Sequence, residues 1–177
     1  MKRIFLTIFM LFCFCEAQDY FNAKLDFVKD GDTIDFIIDN NKITCRAYGI
    51  DSPEKYDSNK LKKEAKKYNI SPTKITNAGK KASYYTKQYF SQNQYYQIAT
   101  FGKDRYNRYL CLISDNDRGF FNRNIILDGF AVLYKNGKYI KDSKLRSSLI
   151  GSQATANANK NGLWLDFEDL MGAMVNE

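Results

Sequence analysis

Histidine is absent from this chain of 177 residues. Its absence removes Ser-His-Asp and Cys-His hydrolases, zinc peptidases, and every nuclease design built on an imidazole base or nucleophile. Any chemistry falls to carboxylates, arginine, lysine, tyrosine or a hard metal ion. Cysteine is scarce as well: four in all, with Cys13 and Cys15 within the first seventeen residues. The other two, Cys45 and Cys111, lie in strand-like segments and make no recognisable zinc site without histidine. Small buried thiols are their expected state, although export would allow a disulfide. A long apolar run is missing too. Ile4 to Phe14 is too short to span a bilayer comfortably. Behind Lys2 and Arg3, and ahead of Cys15-Glu16-Ala17 with small residues at the two positions a signal peptidase reads, it fits the apolar core of a signal peptide. The expectation is a signal peptide over 1–17, cleaved after Ala17, and one exported domain over 18–177, periplasmic or secreted. Uncleaved anchoring is the alternative. Internal repeats and long linkers are also lacking.

What is present suits one compact domain: 44% hydrophobic and 27% charged residues, enough for a core and too apolar for global disorder. Removing residues 1–17 takes away Lys2, Arg3 and Glu16, so the formal charge falls from +7 to +6. That balance suits an anionic partner such as nucleic acid or a membrane surface, though a Lys-, Asn- and Ile-rich composition also reflects low-GC coding. Ala23 to Val28, Thr33 to Ile38 and Ile43 to Ile50 read as three strands of a meander. Asn59 to Tyr68 reads as a polar helix, broken by "NISPT". A second helical run covers Ala78 to Phe90, with Ala82, Tyr85 and Tyr89 on one side. Two more strands follow, Tyr95 to Phe101 and Tyr109 to Ile113. A short helix over Phe121 to Leu127 and a longer one over Lys141 to Asn161 complete the list, the latter closed by Gly162. The tail from Asp166 to Glu177 reads as a loose end. This order predicts an α+β domain: a five-stranded barrel of the OB type packed with about three helices.

Acids cluster in two loops. "DGD" supplies Asp30 and Asp32, and "DSPE" supplies Asp51 and Glu54. Brought together by the meander, they make a hard oxygen site suited to Ca²⁺ or Mg²⁺, although Asp-Gly-Asp is also ordinary turn chemistry. Arg46 lies inside the third strand, where an unpaired cation is costly, and Arg108 follows the "DRYN" turn. Two guanidinium groups beside acids can clamp a phosphate and stabilise charge developing on it. Each alone equally suits a structural carboxylate.

The order Asp30-Gly31-Asp32-Thr33, then Arg46 with Asp51, Pro53 and Glu54, then Asp104-x-Tyr106-x-Arg108, resembles the staphylococcal-nuclease-like (thermonuclease) family. "DGFAVLY", Asp128 to Tyr134, and the closing "GLW", Gly162 to Trp164, continue the likeness over nearly all of the chain from Lys24. The resemblance implies a Ca²⁺ held by Asp32, Asp51 and the carbonyl of Ser52, with Asp30 supporting through water. It implies Glu54 orienting or deprotonating the attacking water, Arg46 and Arg108 as the catalytic arginines, and Arg105, Tyr106 and Tyr134 contacting nucleic acid. The implied reaction is hydrolysis of DNA, with RNA as a further substrate, to 3′-phosphate and 5′-hydroxyl ends by a monomer. Asn107 stands where the family commonly has glycine and is expected to hold the left-handed turn itself. Ser52 replaces Thr or Ala, harmless if its carbonyl alone acts. The Lys-rich stretch 55–77 is longer than in simpler members and reads either as a solvated insertion or as an extension of strand binding. The competing reading of the whole chain is a non-catalytic OB-type protein that binds single-stranded nucleic acid through basic charge and stacking tyrosines.

Overall fold

The computed structural model describes residues 20–91 and 94–176. The expected signal peptide and its cleavage point lie outside the described residues. The strands are β1 (Tyr20–Val28), β2 (Thr33–Ile38), β3 (Asn41–Ala47), the two-residue β4 (Ile50–Asp51), β5 (Tyr95–Lys103), β6 (Tyr109–Asp115), β7 (Gly119–Phe120) and β8 (Val132–Leu133). The helices are α1 (Asn59–Tyr68), α2 (Pro72–Tyr89), α3 (Phe121–Leu127), α4 (Ser143–Ala158), α5 (Leu163–Asp166) and α6 (Glu168–Val175).

The main sheet runs β3-β2-β1-β5-β6-β7 and closes where β3 pairs with β6. That closing pair is parallel, with Cys45 opposite Tyr109 and Arg46 opposite Leu110, while the other neighbours are antiparallel. The result is the expected five-stranded barrel in an α+β domain, with edges removed by closure. Alternation explains its interior: Ala23 and Leu25, Ile34 and Phe36, Ile98 and Ile113 face inward and are buried, as a period of two requires. Tyr89 on Phe121 and Phe90 on Tyr96 make edge-on ring contacts in this core, geometry that aromatic quadrupoles favour.

A second core forms among the helices from Leu61, Ile75, Ala78, Ala82, Val132, Ala156, Leu163, Trp164, Leu170, Met171 and Met174. Three expectations change here. The tail is a helix, not a loose end: Leu170 and Met171 of α6 are fully buried in this second core. "NISPT" opens a helix: Pro72 occupies the first turn of α2, where its missing N–H costs nothing, and Ser71 caps the end by accepting from the Lys74 N–H. The helix α4 ends at Ala158 with Asn159 as its cap, and Gly162 instead opens α5.

Cys45 and Cys111 are bonded to each other, with Cα atoms 5.5 Å apart across the β3–β6 closure. This corrects the expectation of two free thiols: the closing pair, which sets Cys45 opposite Tyr109 and Cys111 opposite Ala47, brings the two buried cysteines within reach on a diagonal. Among the described residues no helix is long and apolar enough to cross a membrane.

Candidate active site

Register places the first half of the site. Thr33 is paired with Arg46 across β2 and β3, so Asp32, just before the strand, lies beside the arginine. The preceding turn is fixed by Asp30, whose Oδ1 accepts from the backbone N–H of Asp32 and Thr33. After β3 the chain turns through Gly49 into β4, held by β8 with Asp51 opposite Val132. Asp32 Oδ2 then accepts from both the N–H and the hydroxyl of Ser52, at 2.8 and 2.9 Å. The serine hydroxyl therefore adds a bond to Asp32 beside whatever its carbonyl does.

Arg46 is almost wholly buried and bridges two acids. Its Nη2 donates to Asp51 Oδ1 at 2.5 Å, and its Nη1 lies 2.6 Å from Asp32 Oδ2 without the alignment of a hydrogen bond. A guanidinium in a barrel wall is stable here because two carboxylates repay its desolvation. Arg108 is gripped differently: Nε and Nη2 both bond Asp104 Oδ2, while Nη1 reaches the Thr33 hydroxyl at 3.2 Å, which donates to Asp32 Oδ1. Asp104 also accepts from the N–H groups of Tyr106 and Arg108, and Asn107 between them adopts φ 62°. The asparagine holds the left-handed turn as expected.

Glu54 is placed from three sides. Pro53 precedes it. Lys55 donates to the Lys29 carbonyl and the Ser83 hydroxyl. Behind it, α2 passes so closely that a Cβ on Gly79 would lie 2.4 Å from the Glu54 carbonyl oxygen. Only glycine allows that approach. Glu54 itself faces Lys60 of α1, with Nζ 2.6 Å from Oε1. Lys60 also lies 3.6 Å from Asp51 and 3.4 Å from Glu64. Lys60 and Glu64 were not singled out by the sequence reading; their only trace was the four-residue spacing of a helical ion pair. The Lys-rich stretch is thus not merely a solvated insertion.

The acids respond to this setting. Burial pushes Asp30 up to about 6, and the Asp32 charge adds to it. Burial also works against ionised Asp32, but Arg46, then Lys60 and Ser52, outweigh it and leave Asp32 below the usual carboxylate value. Asp51 stays above that value because burial, with the Asp32 and Glu54 charges, outweighs the two cations. Glu64 is pushed up to about 7, chiefly by burial.

A broad open cleft of about 1990 Å³ is lined by Asp30, Asp32, Arg46, Asp51, Ser52 and Glu54 and, further along, by Arg105, Tyr106, Arg108 and Tyr134. Every residue expected in the site therefore reaches one cleft. Tyr106 is exposed there with Arg105 over its ring, and Tyr134 stacks on Tyr139, a partner the sequence did not reveal.

The family model described as staphylococcal nuclease homologue matches residues 44–166. The chain belongs to this family. The match includes Arg46, Asp51, Ser52, Glu54, Arg105, Tyr106, Arg108 and Tyr134. Asp30 and Asp32 precede it, and their place beside Arg46 rests on the β2–β3 register. The chain is also 26% identical over 165 residues to an uncharacterized protein, MJ1439, of Methanocaldococcus jannaschii, covering 85% of this chain and 75% of that one.

Whether a cation suits this family site is tested by its donors. They are carboxylate oxygens, hard ligands of the kind calcium takes, and burial of Asp30 and Asp51 leaves negative charge there poorly solvated. Among the described residues, however, no three acids converge tightly enough to enclose an ion. Lys60 stands between Asp51 and Glu54. The donor chemistry fits; the arrangement around Lys60 does not yet close on a metal.

Proposed function

We propose that this protein is an exported, Ca²⁺-dependent phosphodiesterase that cleaves DNA, and RNA as a further substrate, with little sequence preference, acting as a monomer. The observation that carries the reading is the convergence of Arg46 and Arg108 on opposite sides of Asp32 and Thr33, beside Glu54, in one open cleft. A purely binding surface has no need of this buried acid and arginine set.

In this reading Asp32, Asp51 and the Ser52 carbonyl hold the cation, with Asp30 supporting them. When bound, it would supply positive charge to the phosphoryl oxygens. Arg46 and Arg108 exchange their carboxylate partners for phosphate oxygens and stabilise the charge that grows as water adds. Glu54 holds the attacking water and takes its proton. The P–O5′ bond breaks, the 5′ oxygen is protonated from solvent, and the 3′ side keeps the phosphate. Tyr106 and Tyr134 give neighbouring bases a face to stack on. The Cys45–Cys111 bond supports the export part, since such bonds persist in oxidising compartments.

The test is fluorescent single-stranded DNA with the purified protein in Ca²⁺, in Mg²⁺ and in a chelator, followed by end-group analysis. Cleavage only with Ca²⁺, leaving 3′-phosphates, is expected. Glu54→Gln, Arg46→Gln and Arg108→Gln should each lower turnover by about 10² or more while the fold persists. Tight, salt-sensitive binding with no cleavage in any metal would overturn the enzyme in favour of a single-strand-binding module.

A further inference from the structure

The cation nearest Glu54 comes from the protein itself. Two cations touch Asp51, and they differ in freedom. Arg46 is 12% exposed and locked between two acids; Lys60 is 49% exposed and held by its tip alone. Its neighbour Leu61 is 2% exposed and anchors α1 in the second core, and Ser58 caps the helix by accepting from the Leu61 N–H. The backbone under Lys60 is therefore fixed while its four-carbon stem can swing into solvent without opening any core. Around the amine stand Asp51, Glu54 and Glu64, at 3.6, 2.6 and 3.4 Å. Three carboxylates thus share one ammonium, whose charge stands where the approach to Asp51 opens.

We propose that Lys60 is a built-in competitor for the divalent cation of this site, setting how tightly the metal is held. The inference rests on the calcium reading above. In the metal-free protein Lys60 neutralises Asp51 and Glu54 and keeps the acid loop in place. A divalent ion entering at Asp32 and Asp51 meets the positive charge of Lys60 within a few ångströms, in a partly desolvated cleft where such repulsion is strong. Binding then requires Lys60 to swing out, and that requirement lowers metal affinity. Glu64 sharpens the device by giving the displaced amine a second carboxylate on its own helix, one turn away.

The experiment is calorimetric titration of CaCl₂ into the full chain, with wild type, Lys60→Gln and Lys60→Arg compared in the absence of nucleic acid. Lys60→Gln should bind Ca²⁺ about ten-fold tighter or more, as loss of a like charge at close range demands, while Lys60→Arg, which keeps the charge, should stay near wild type. Thermal unfolding in a chelator provides the second readout: Lys60→Gln should melt lower than wild type without metal and gain more than wild type when Ca²⁺ is added. A lysine that serves only to dock α1 would lower the melting point without tightening calcium binding, and that result overturns the proposal. Wild type that binds while Lys60→Gln binds more weakly overturns it too. If neither protein takes up calcium, the calcium reading itself falls and this inference with it, and the blank wild-type titration tells that failure apart from the others.

Discussion

The two walls of the cleft are built by different means. The barrel wall carries Asp32, Arg46 and Arg108 on strands or at strand ends, where paired backbone fixes each position. The helical wall carries Glu54, Lys60 and Glu64 on a loop and a ten-residue helix, held by packing of a few apolar side chains. On the first wall Asp32 and Arg46 are buried and neutralise each other, while the partly exposed Arg108 is paired with Asp104. On the second the partly buried Glu54 and Glu64 share one half-exposed amine, that of Lys60. The difference teaches where rigidity and adjustability lie: phosphate-facing arginines need fixed geometry, whereas a cation site that must open and close can sit on the less firmly tied element.

The largest effect should come from cutting the barrel wall at its seam. The Cys45–Cys111 bond closes a loop of 66 residues, for which the chain-entropy model gives about 4 kcal/mol of stability. Replacing both cysteines by alanine should lower the urea midpoint and raise the slope, because the unfolded chain without the cross-link exposes more surface. Arg46→Gln attacks the same wall from its charge. It leaves Asp32 and Asp51 buried with only Lys60 nearby, and breaking a buried pair from one side costs about 3 kcal/mol. Denaturant unfolding should read that loss; a change near zero would mean that the acids simply protonate or that the wall is more hydrated than its burial indicates.

The two walls also differ in how well the sequence foretold them. The β-branched and aromatic residues of "TIDFII" placed β2 at its observed bounds, and the family resemblance carried by the order of acids and arginines put Asp32, Arg46 and Arg108 together, an order that strand pairing turns into proximity. Asn59 to Tyr68 was also recognisable as a helix. Its role was not, since only Leu61 marks the buried side of "NKLKKEAKKY", and which acids its lysines meet depends on docking against α2 and α6. The tail misled for the same reason: Leu170, Met171 and Met174 look like a sparse apolar set until a second core exists to receive them. "NISPT" does end α1, but its Pro72 also opens α2 ahead of the expected Ala78. The disulfide stayed open because a β3–β6 pairing across the closure is a property of the barrel, not of either segment.

A smaller effect should follow from loosening the helical wall. Leu61→Ala empties part of the second core, at about 2 kcal/mol, and should leave the barrel intact. Amide exchange separates the two: α1 amides should exchange much faster while β2, β3 and β6 keep their protection. Equal loss of protection in barrel and helix would mean that the walls unfold as one unit and the contrast between them is false.

The smallest effect is a pH slope that belongs to the cleft in the absence of metal. Asp30, raised to about 6, and Glu64, raised to about 7, hold protons in the folded state that the unfolded chain has already released near the ordinary values of 3.8 and 4.5. Between those limits the native protein binds more protons than the unfolded one, so stability falls as pH rises. Asp104 and Asp115 act in the opposite sense, but only below about pH 4, because their folded values lie under the ordinary one: burial opposes it, yet the Arg108 N–H and side chain hold Asp104 down, and the Arg118 side chain with two backbone N–H groups does so for Asp115. Melting temperature in a chelator should therefore decline from about pH 4.5 to about pH 7. Glu64→Gln, which titrates nowhere in that range, should flatten the upper part of the decline and leave the part due to Asp30. A slope that survives unchanged in Glu64→Gln would place the proton uptake on the barrel wall alone, and the helical wall would lose its claim to be the adjustable half of the site.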